Sequence, residues 1–343
     1  MLEEIFEEQS ELFEHHRIIA DKGQGLMRLD KFLFNRIENV SRNKIQMAVK
    51  AGNVLVNGGA SKSNYKVKPG DLVTVVLPYP DREFELIPEN IPINIIYEDD
   101  YLIVVNKEPG MVVHPGHGNY SGTLVNALCW HLKDVPLFST GEVRPGLVHR
   151  IDKETSGILV IAKTELALNR LAKQFYDRTT RRTYQAIVWG TPEPVEGKVE
   201  GNIGRSVRDR MKMQVFPAGE AGKTAVTHYR VIEKLGYVSL IECRLETGRT
   251  HQIRVHMEYI RHPVFNDERY GGNKIVRGTV FSKYKQFIEN CFTLMPRHAL
   301  HAKSLGFKHP VSGREMFFDS VLPDDMLLLA NKWRKYLADR AAD

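Results

Sequence analysis

The sequence predicts a soluble protein of mixed helices and strands, divided into a small domain and a larger one. At 343 residues, the chain is long enough to bury one large core beside a smaller unit. Helical spacing of apolar residues alternates along the chain with β-branched runs such as residues 73–77 and 158–161. Prolines punctuate the segment between the two units, at positions 78, 80, 88 and 92. We therefore expect an acidic N-terminal arm at 1–25, a small domain at 26–78, a linker at 79–92 and a large domain at 93–343.

The composition excludes several classes of protein. Hydrophobic residues make up 42% and charged residues 26%, which is ordinary for a globular protein. No long apolar run predicts a membrane-spanning helix, and the acidic N-terminus lacks the cationic and apolar parts of a secretory signal. The three cysteines, Cys129, Cys243 and Cys291, are too far apart for a disulfide framework, a zinc site or the paired-cysteine signature of a zinc RNA deaminase. These features favour a reducing cytoplasm and no metal.

The positive charge favours a polyanionic partner. The net charge is +6, although residues 1–16 contain six glutamates and no lysine or arginine. The rest of the chain is therefore more basic than the total suggests. Basic residues bind nucleic acid through phosphate contacts that release counterions. The alternative is that the charge serves solubility alone.

The small domain has features of an RNA-binding module. Ser41 is a good N-cap for a helix that Gly52 would end. On this helix Arg42, Gln46 and Lys50 recur every four residues, and we expect the stripe to lie along phosphates. The strings R-L-D-K-F-L, S-R-N-K-I-Q and G-N-V-L-V-N-G resemble the S4-type RNA-binding module. That resemblance favours RNA contacts by Arg42 and Lys50 over a merely solvated face.

One stretch of the large domain, residues 146–164, concentrates polar groups between two apolar segments. Two predicted strands with a charged loop between them describe a rigid support for a site. Asp152 is the candidate in that loop, because the nearby His149, Arg150 and Lys153 would hold its carboxylate ionised. Such a carboxylate serves as a nucleophile or a general base. The alternative is a structural salt bridge or a turn cap.

The loop sequence H-R-I-D-K-E-T-S-G resembles the signature loop of the pseudouridine synthases, in the branch that modifies large-subunit ribosomal RNA. The resemblance implies that Asp152 is the catalytic nucleophile. It also implies that Arg150 enters the RNA where the target uridine is flipped out, and we expect His149 beside it to contact RNA. Ile151 stands where family members usually have leucine, a small change of apolar shape.

Two further strings resemble the other motifs of this family. In R-T-Y-Q-A-I-V, the tyrosine is Tyr184, whose ring would stack on the target base and whose hydroxyl would take part in proton transfer. In L-E-T-G-R-T-H-Q-I-R-V-H-M, Arg254 is implied to pair with the catalytic aspartate, with Arg249 as the alternative. We otherwise expect Arg249 to contact RNA. Thr250 is expected to cap the helix that carries Arg254.

A basic stretch at residues 202–228 has two open interpretations. Arg205, Arg208, Arg210 and Lys212 are placed to line an RNA channel, or they decorate an exposed hairpin for solubility.

Taken together, the motifs resemble the D type of large-subunit synthase. The implied fold is α+β, with a mixed, largely antiparallel sheet in the catalytic domain and a small N-terminal α/β RNA-binding domain. The implied reaction converts uridine to pseudouridine by base flipping, without cofactor or metal. The implied partner is ribosomal RNA, free or within the large subunit, and we expect a monomer. Whether Asp152 attacks covalently or removes a ribose proton stays open. A catalytically silent assembly factor and a plain RNA-binding protein are the rival interpretations.

Overall fold

The structure is a computed structural model that describes residues 13–38, 40–77, 86–116, 119–138, 145–206, 209, 212–217 and 219–342. It contains a small N-terminal domain and a large domain built on one sheet. Among the described residues, no helix is long and apolar enough to cross a membrane.

The small domain packs two helices against a four-stranded sheet. Its elements are β1 (Phe13–Ile19), β2 (Met27–Arg28), α1 (Leu29–Phe34), α2 (Arg42–Lys50), β3 (Val54–Val56), β4 (Gly59–Ala60), β5 (Lys66–Val67) and β6 (Leu72–Leu77). The sheet order is β1-β6-β3-β4, and β2 pairs separately with β5. The predicted cap of α2 is confirmed, because the Ser41 side chain accepts the Lys44 N–H. Ile45 and Val49 on α2 face a core that includes Leu29 and Phe32 of α1.

The N-terminal arm is shorter than the sequence analysis expects. Within the predicted arm of 1–25, β1 pairs antiparallel with β6, from Phe13 opposite Leu77 to Ile19 opposite Leu72. The strand β1 lies at the edge of the sheet and pairs with the hydrogen-bonding groups that β6 would otherwise leave free. This pairing favours a strand here, although apolar residues just before it have helical spacing. Residues 1–12 lie outside the described part of the chain.

The expected linker is partly bound to the large domain. Residues 78–85 are not among those described. Further on, the Glu89 N–H donates to the Asn126 carbonyl, and the Asn126 side chain donates to the Ile87 carbonyl. Because these contacts involve a helix of the large domain, residues 86–92 belong to that domain structurally.

The large domain is a ten-stranded sheet with helices packed on it. Its strands are β7 (Ile95–Glu98), β8 (Leu102–Lys107), β9 (Ser156–Ala162), β10 (Arg181–Trp189), β11 (Glu196–Arg205), β12 (Met213–Phe216), β13 (Lys223–Lys234), β14 (Val238–Leu245), β15 (Leu300–Lys308) and β16 (Glu315–Asp319). Its helices are α3 (Leu124–His131), α4 (Glu165–Tyr176), α5 (Gln252–Tyr259), α6 (Ser282–Leu294) and α7 (Asp324–Ala342), with a 3₁₀ turn at Pro136–Phe138. The order is β12-β11-β13-β14-β10-β15-β9-β8-β7, and β16 pairs with β15.

The predicted α+β class is confirmed by this architecture. In the described sheet, the named strand pairs are antiparallel apart from β9 with β15. The central strand β9 is buried along its whole length, which explains its continuous apolar run. Its residues alternate between two cores, with Leu159 and Ile161 in one and Ile158 and Val160 in the other.

The cap predicted for α5 is wrong. The N-cap residue is His251 rather than Thr250, and its φ of +55° lies in the left-handed region. The side chain of Gln252 instead accepts the Arg249 N–H at 3.0 Å and the Thr247 hydroxyl at 2.7 Å. The strand β14 thus ends in a tight turn that leads directly into α5.

Candidate active site

Asp152 lies in a loop that the sheet fixes at both ends. Before the loop, Leu147 makes an antiparallel bridge to Ile161 on β9. After it, Gly157 has a φ of +121°, and an added Cβ would lie 2.2 Å from the carbonyl oxygen of Ala302 on β15. Glycine is therefore required where β9 and β15 approach. The loop leaves the sheet at a defined point and in a defined direction.

Two buried basic side chains hold the main chain next to Asp152. Nζ of Lys107 donates to the carbonyl of Lys153 at 3.0 Å, and also to two carbonyls of its own loop. Nη1 of Arg297 donates to the carbonyl of Glu154 at 2.8 Å. Both side chains are almost fully buried, and burial lowers the pKa of Lys107 to about 7, so Lys107 is about half protonated at neutral pH. Hydrogen bonds from charged donors are stronger than neutral ones, so they restrict movement of the loop.

Arg254 joins Asp152 to a second carboxylate. Its Nη1 donates to Oδ2 of Asp152 at 2.8 Å. Its Nε and Nη2 donate to the two oxygens of Asp267, at 2.6 and 3.0 Å. The Asp267 side chain is fully buried, whereas that of Asp152 is 22% exposed. The guanidinium is therefore fixed from behind by Asp267 and presents one nitrogen to Asp152.

The neighbours of Asp152 keep its carboxylate ionised. Burial opposes the charged form, but interactions with His251, Arg254 and His298 outweigh it and lower the pKa of Asp152, and of these three groups only Arg254 is charged at neutral pH. Burial lowers the pKa of both His251 and His298 to about 3, so both are neutral at pH 7. Burial opposes the cation of Arg254 too, but its hydrogen bonds to Asp267 and Asp152 raise its pKa. Arg254 therefore supplies the charge that stabilises the Asp152 carboxylate at neutral pH.

His251 presents its ring to the other oxygen of Asp152. Its Nε2 lies 3.9 Å from Oδ1 of Asp152, and its Nδ1 lies 2.8 Å from the hydroxyl of Tyr270. That hydroxyl accepts the Met213 N–H at 3.1 Å, which leaves its proton for Nδ1. We infer that Nε2 then carries the imidazole proton and points towards Asp152. The left-handed backbone at His251 costs of order 1–3 kcal/mol and aims the ring at the site.

Asp152 lies where an inner pocket meets an outer cleft. Asp152, Arg150, His251 and Arg254 line both spaces. Tyr184 lines the inner pocket, where its side chain is 9% exposed. The remaining charged lining of the inner pocket is Arg182 and Arg249. The outer cleft is wide and carries the basic residues Lys153, Arg205, Lys212, Arg269 and Arg297 along with Glu154 and Glu268.

This arrangement suits a reaction on one aromatic base that has left its place in a polyanionic chain and entered the inner pocket. An aromatic side chain and an ionised carboxylate meet in the inner pocket, and the outer cleft has an excess of cations. A nucleobase would stack on the Tyr184 ring, while the cleft would bind the phosphates on either side. Among the described residues, no group of three or more His, Cys, Asp or Glu side chains is arranged to hold a metal ion.

Comparisons with known proteins agree with this geometry. The RNA pseudouridylate synthase family matches residues 101–259, and the S4 domain family matches residues 27–73. An uncharacterized RNA pseudouridine synthase of Chlorobaculum parvum is 49% identical over 317 residues, which cover 92% of this chain and 96% of that protein. The chain belongs to the RNA pseudouridine synthases.

Other members of the family extend the comparison. The ribosomal large subunit pseudouridine synthase D of Zymomonas mobilis is 45% identical to this synthase over 304 residues, covering 88% of this chain and 92% of that protein. The solved structure of human RNA pseudouridylate synthase domain containing 4 is 25% identical, with a TM-score of 0.55. That match covers 70% of this chain and 93% of the human one. The predicted family and the predicted isomerase class are thereby confirmed.

The synthase brings most of its predicted site residues together. The inner pocket is lined by Asp152, Tyr184, Arg254, Arg150, His149 and Arg249. Nη1 of Arg150 lies 3.1 Å from Nε2 of His114. Arg150 borders both the inner pocket and the outer cleft, which fits its predicted entry into RNA. Nε of Arg249 donates to the Thr224 carbonyl at 3.0 Å, whereas it is Arg254 that donates to Asp152. The catalytic roles of these residues stay predictions.

His149 differs from its predicted use. Its ring is buried, stacks on Phe175 with centroids 4.5 Å apart, and accepts the Val160 N–H at Nε2. Burial lowers its pKa to about 3, so the ring is neutral at pH 7. These contacts explain His149 as a support beneath the Asp152 loop, and the geometry gives no support to the predicted RNA contact.

The predicted RNA-binding residues outside the pocket divide into three cases. Arg205 lines the outer cleft, as the channel interpretation of the basic stretch expects. Arg208, like Arg210, lies outside the described residues. On α2, Arg42 donates to the buried Asp30 at 2.8 Å and Lys50 is exposed. The stripe on α2 is thus partly structural.

Several residues of the site are missed by the sequence analysis. Asp267 and Tyr270 lie in the stretch N-D-E-R-Y, more than a hundred residues after Asp152, and no spacing connects them to it. His251 lies inside the third motif, but its left-handed backbone gives no sequence signal. Arg182 is two residues before Tyr184 on β10, and this spacing places both on one face of the strand.

Proposed function

We propose that this synthase isomerises specific uridines to pseudouridine in large-subunit ribosomal RNA. The proposal is supported by the relatives named ribosomal large subunit pseudouridine synthase D in Zymomonas mobilis and Neisseria meningitidis. The free buried cysteines support a reducing compartment, and the proposal includes a cytoplasmic location. It also includes action as a monomer, which sedimentation analysis of the active protein would test. Catalysis without a cofactor is a further part of the proposal.

One observation carries the mechanism: an ionised Asp152 is held between Arg254 and His251 at the junction of the inner pocket and the outer cleft. RNA would lie along the basic lining of the outer cleft. The target uridine would leave its stack and enter the inner pocket, where its base meets Tyr184. Arg150, which borders both spaces, would occupy the gap left in the RNA.

In the proposed reaction, the bond between C1′ of the ribose and N1 of uracil breaks, and its electron pair stays on the base. Asp152 either attacks C1′ or removes the C2′ proton to promote that step. The base then turns, and C5 forms a new bond to C1′ of the same ribose. At this step the bond from Asp152 to C1′ breaks or, on the other route, C2′ regains its proton from Asp152. The C5 proton leaves and N1 regains a proton, so the reaction is an isomerisation with no further reactant. Arg254 keeps Asp152 ionised for its role.

The test is primer extension after carbodiimide treatment of large-subunit ribosomal RNA, with wild type beside Asp152→Asn. The asparagine keeps the shape of the side chain and removes its charge. We expect new stops with wild type alone, while both proteins bind the RNA with similar affinity. Asp177→Asn, at an exposed site on the same domain, should match wild type.

Two outcomes would overturn the proposal. Stops that persist with Asp152→Asn would remove Asp152 from catalysis. No stops with wild type on either naked RNA or immature large subunits would favour the rival assembly-factor function, and stops only in another class of RNA would refute the proposed target.

A further inference from the structure

Arg182 on β10 is a cation without an anion. Among the described residues, none accepts a hydrogen bond from its guanidinium or forms an ion pair with it. Its Nε is completely buried and has no hydrogen-bond partner. Burial lowers the pKa of Arg182, and the nearby Tyr184, rather than a carboxylate, opposes that effect. The Arg182 side chain is half-buried, and a partly desolvated guanidinium without an ion-pair partner among the described residues calls for a functional explanation.

The neighbours of Arg182 position its guanidinium in the inner pocket. The guanidinium carbon lies 5.6 Å from the centre of the Phe175 ring. On another side, a Cβ added to Gly248 would lie 2.8 Å from Nη1 of Arg182, so the glycine leaves room for the guanidinium. Both Arg182 and Gly248 line the inner pocket with Tyr184 and Asp152. The side chain is thus held in place by packing, without a carboxylate to neutralise it.

The position of Arg182 also limits which part of a bound RNA its guanidinium can contact. Arg182 lines the inner pocket and does not line the outer cleft, where the RNA backbone would lie. Of the parts of a flipped nucleotide, the base is the one that enters the inner pocket. When the glycosidic bond breaks, the electron pair remains on uracil and spreads over N1 and the two carbonyl oxygens. A negative charge therefore develops in the space that Arg182 borders, and only during the reaction.

We propose that Arg182 is a catalytic residue that stabilises the negative charge on uracil as the base separates from its ribose. The proposal rests on the pseudouridine synthase reaction proposed above. A preorganised cation aimed at a developing charge lowers the barrier without strengthening ground-state binding. Because the half-buried guanidinium has no ion-pair partner among the described residues, no ion pair has to be broken when the charge appears. The same contact operates whichever route Asp152 takes.

The chain offers a matched control at the preceding residue. Arg181 lies on the opposite face of β10, its side chain is 74% exposed, and it pairs with Glu315 at 3.4 Å. Arg181→Gln and Arg182→Gln therefore remove the same charge from adjacent positions on one strand. The comparison uses an RNA that the wild-type enzyme modifies. Single-turnover rates are measured at saturating enzyme, together with RNA affinity over a range of salt concentrations and the urea midpoint of each protein.

For Arg182→Gln we expect a loss of about 10²–10³ in the single-turnover rate, the size found on removing one donor to a developing anion. Arg182→Lys should recover part of that loss. We expect RNA affinity and its dependence on salt to match Arg181→Gln. The urea midpoint should stay level or rise, because the variant removes a half-buried charge that has no ion-pair partner among the described residues. Gly248→Ala, which displaces the guanidinium without removing it, should give an intermediate rate.

Three results would overturn the role of Arg182. An unchanged rate would exclude it from catalysis. A slope of log affinity against log salt that is smaller by about 0.7–0.9 than in the control would assign Arg182 to a phosphate instead. A large fall in the urea midpoint would mark a structural residue. A wild-type enzyme that modifies a different class of RNA refutes the proposed target and leaves this comparison intact.

Discussion

Arg254 gives Asp152 a single hydrogen bond because Asp267 holds its other two donating nitrogens. The distances are 2.8 Å to Asp152 and 2.6 and 3.0 Å to Asp267. Asp267 also accepts the main-chain N–H groups of residues 269 and 270, each at 3.1 Å. The second carboxylate therefore fixes the guanidinium and leaves Asp152 with a free lone pair for substrate. The charge of Arg254 and the position of its guanidinium can therefore be tested by separate substitutions.

The first prediction concerns Arg254→Lys. Lysine keeps the positive charge but has no planar fork, so it cannot donate to both carboxylates in the same geometry. We expect Asp152 to lose its fixed orientation and the single-turnover rate to fall by about 10²-fold, the effect of a small misplacement of a reacting group. RNA affinity should change little. An unchanged rate would show that charge near Asp152 suffices and that the fork is dispensable.

The second prediction concerns Asp267→Asn. This change leaves Arg254 buried with only one carboxylate, and breaking one side of a buried ion pair costs about 3–5 kcal/mol. The free energy of unfolding in urea should fall by an amount of this order, with a lower rate as well. Asp319→Asn is the control, because Asp319 is about half exposed in its pair with Lys303. That change should cost less than about 1 kcal/mol.

The sequence predicts the motif residues of this site well and their supports poorly. Asp152, Tyr184 and Arg254 meet in one pocket because each belongs to a motif with a family resemblance. Asp267 belongs to no such motif, and its place beside Arg254 arises from the packing of α5 against the following loop. A contact between residues far apart in sequence depends on the fold, which periodicity and spacing do not encode.

The third prediction concerns Lys107, which supports the main chain beside Asp152. Lys107→Met fills a similar volume but leaves three carbonyls without this donor, in part-buried surroundings, including that of Lys153 beside Asp152. We expect the free energy of unfolding to fall by more than about 2 kcal/mol. Amide hydrogen exchange should show faster opening of residues 149–155. Normal exchange in that loop would mean that Arg297 alone is enough to hold it.

The fourth prediction separates two cations on α2. Arg42 and Gln46 both donate to Asp30, whose side chain is fully buried, whereas Lys50 is exposed. Arg42→Gln should therefore lower the stability of the small domain by about 1–2 kcal/mol. Lys50→Gln should leave stability unchanged and weaken RNA binding, with a smaller dependence on salt. Equal effects of the two variants on RNA affinity, with no loss of stability, would restore the predicted phosphate stripe.

The stripe of Arg42, Gln46 and Lys50 on α2 shows why residue spacing alone does not predict the contacts of a helix face. Residues four apart do share one face of α2, as the sequence predicts. Which neighbour that face meets depends on Asp30 of α1, placed beneath it by the packing of the two helices. The same reasoning applies to β1, which only its pairing with β6 distinguishes from a peripheral arm.

The fifth prediction is a loss of stability in mild acid. Burial lowers the pKa of His149, His251 and His298 to about 3 and that of His256 and His301 to about 4. Each rises to about 6.5 on unfolding, so the unfolded chain binds more protons than the folded one between pH 4 and 6.5. The free energy of unfolding therefore falls as the pH is lowered through this window, by about 1.4 kcal/mol per pH unit for each histidine.

Urea unfolding at pH 7.5, 6.0 and 5.0 measures this dependence, and His256→Gln tests its cause. His256 is fully buried, with Nδ1 2.9 Å from the Thr227 hydroxyl, so the variant removes one titrating group from the interior. Its free energy of unfolding should fall less steeply with pH than that of wild type. The buried carboxylates titrate below this window because the pKa of Asp152 and of Asp267 is lowered, so parallel slopes for His256→Gln and wild type would contradict the assignment to histidine.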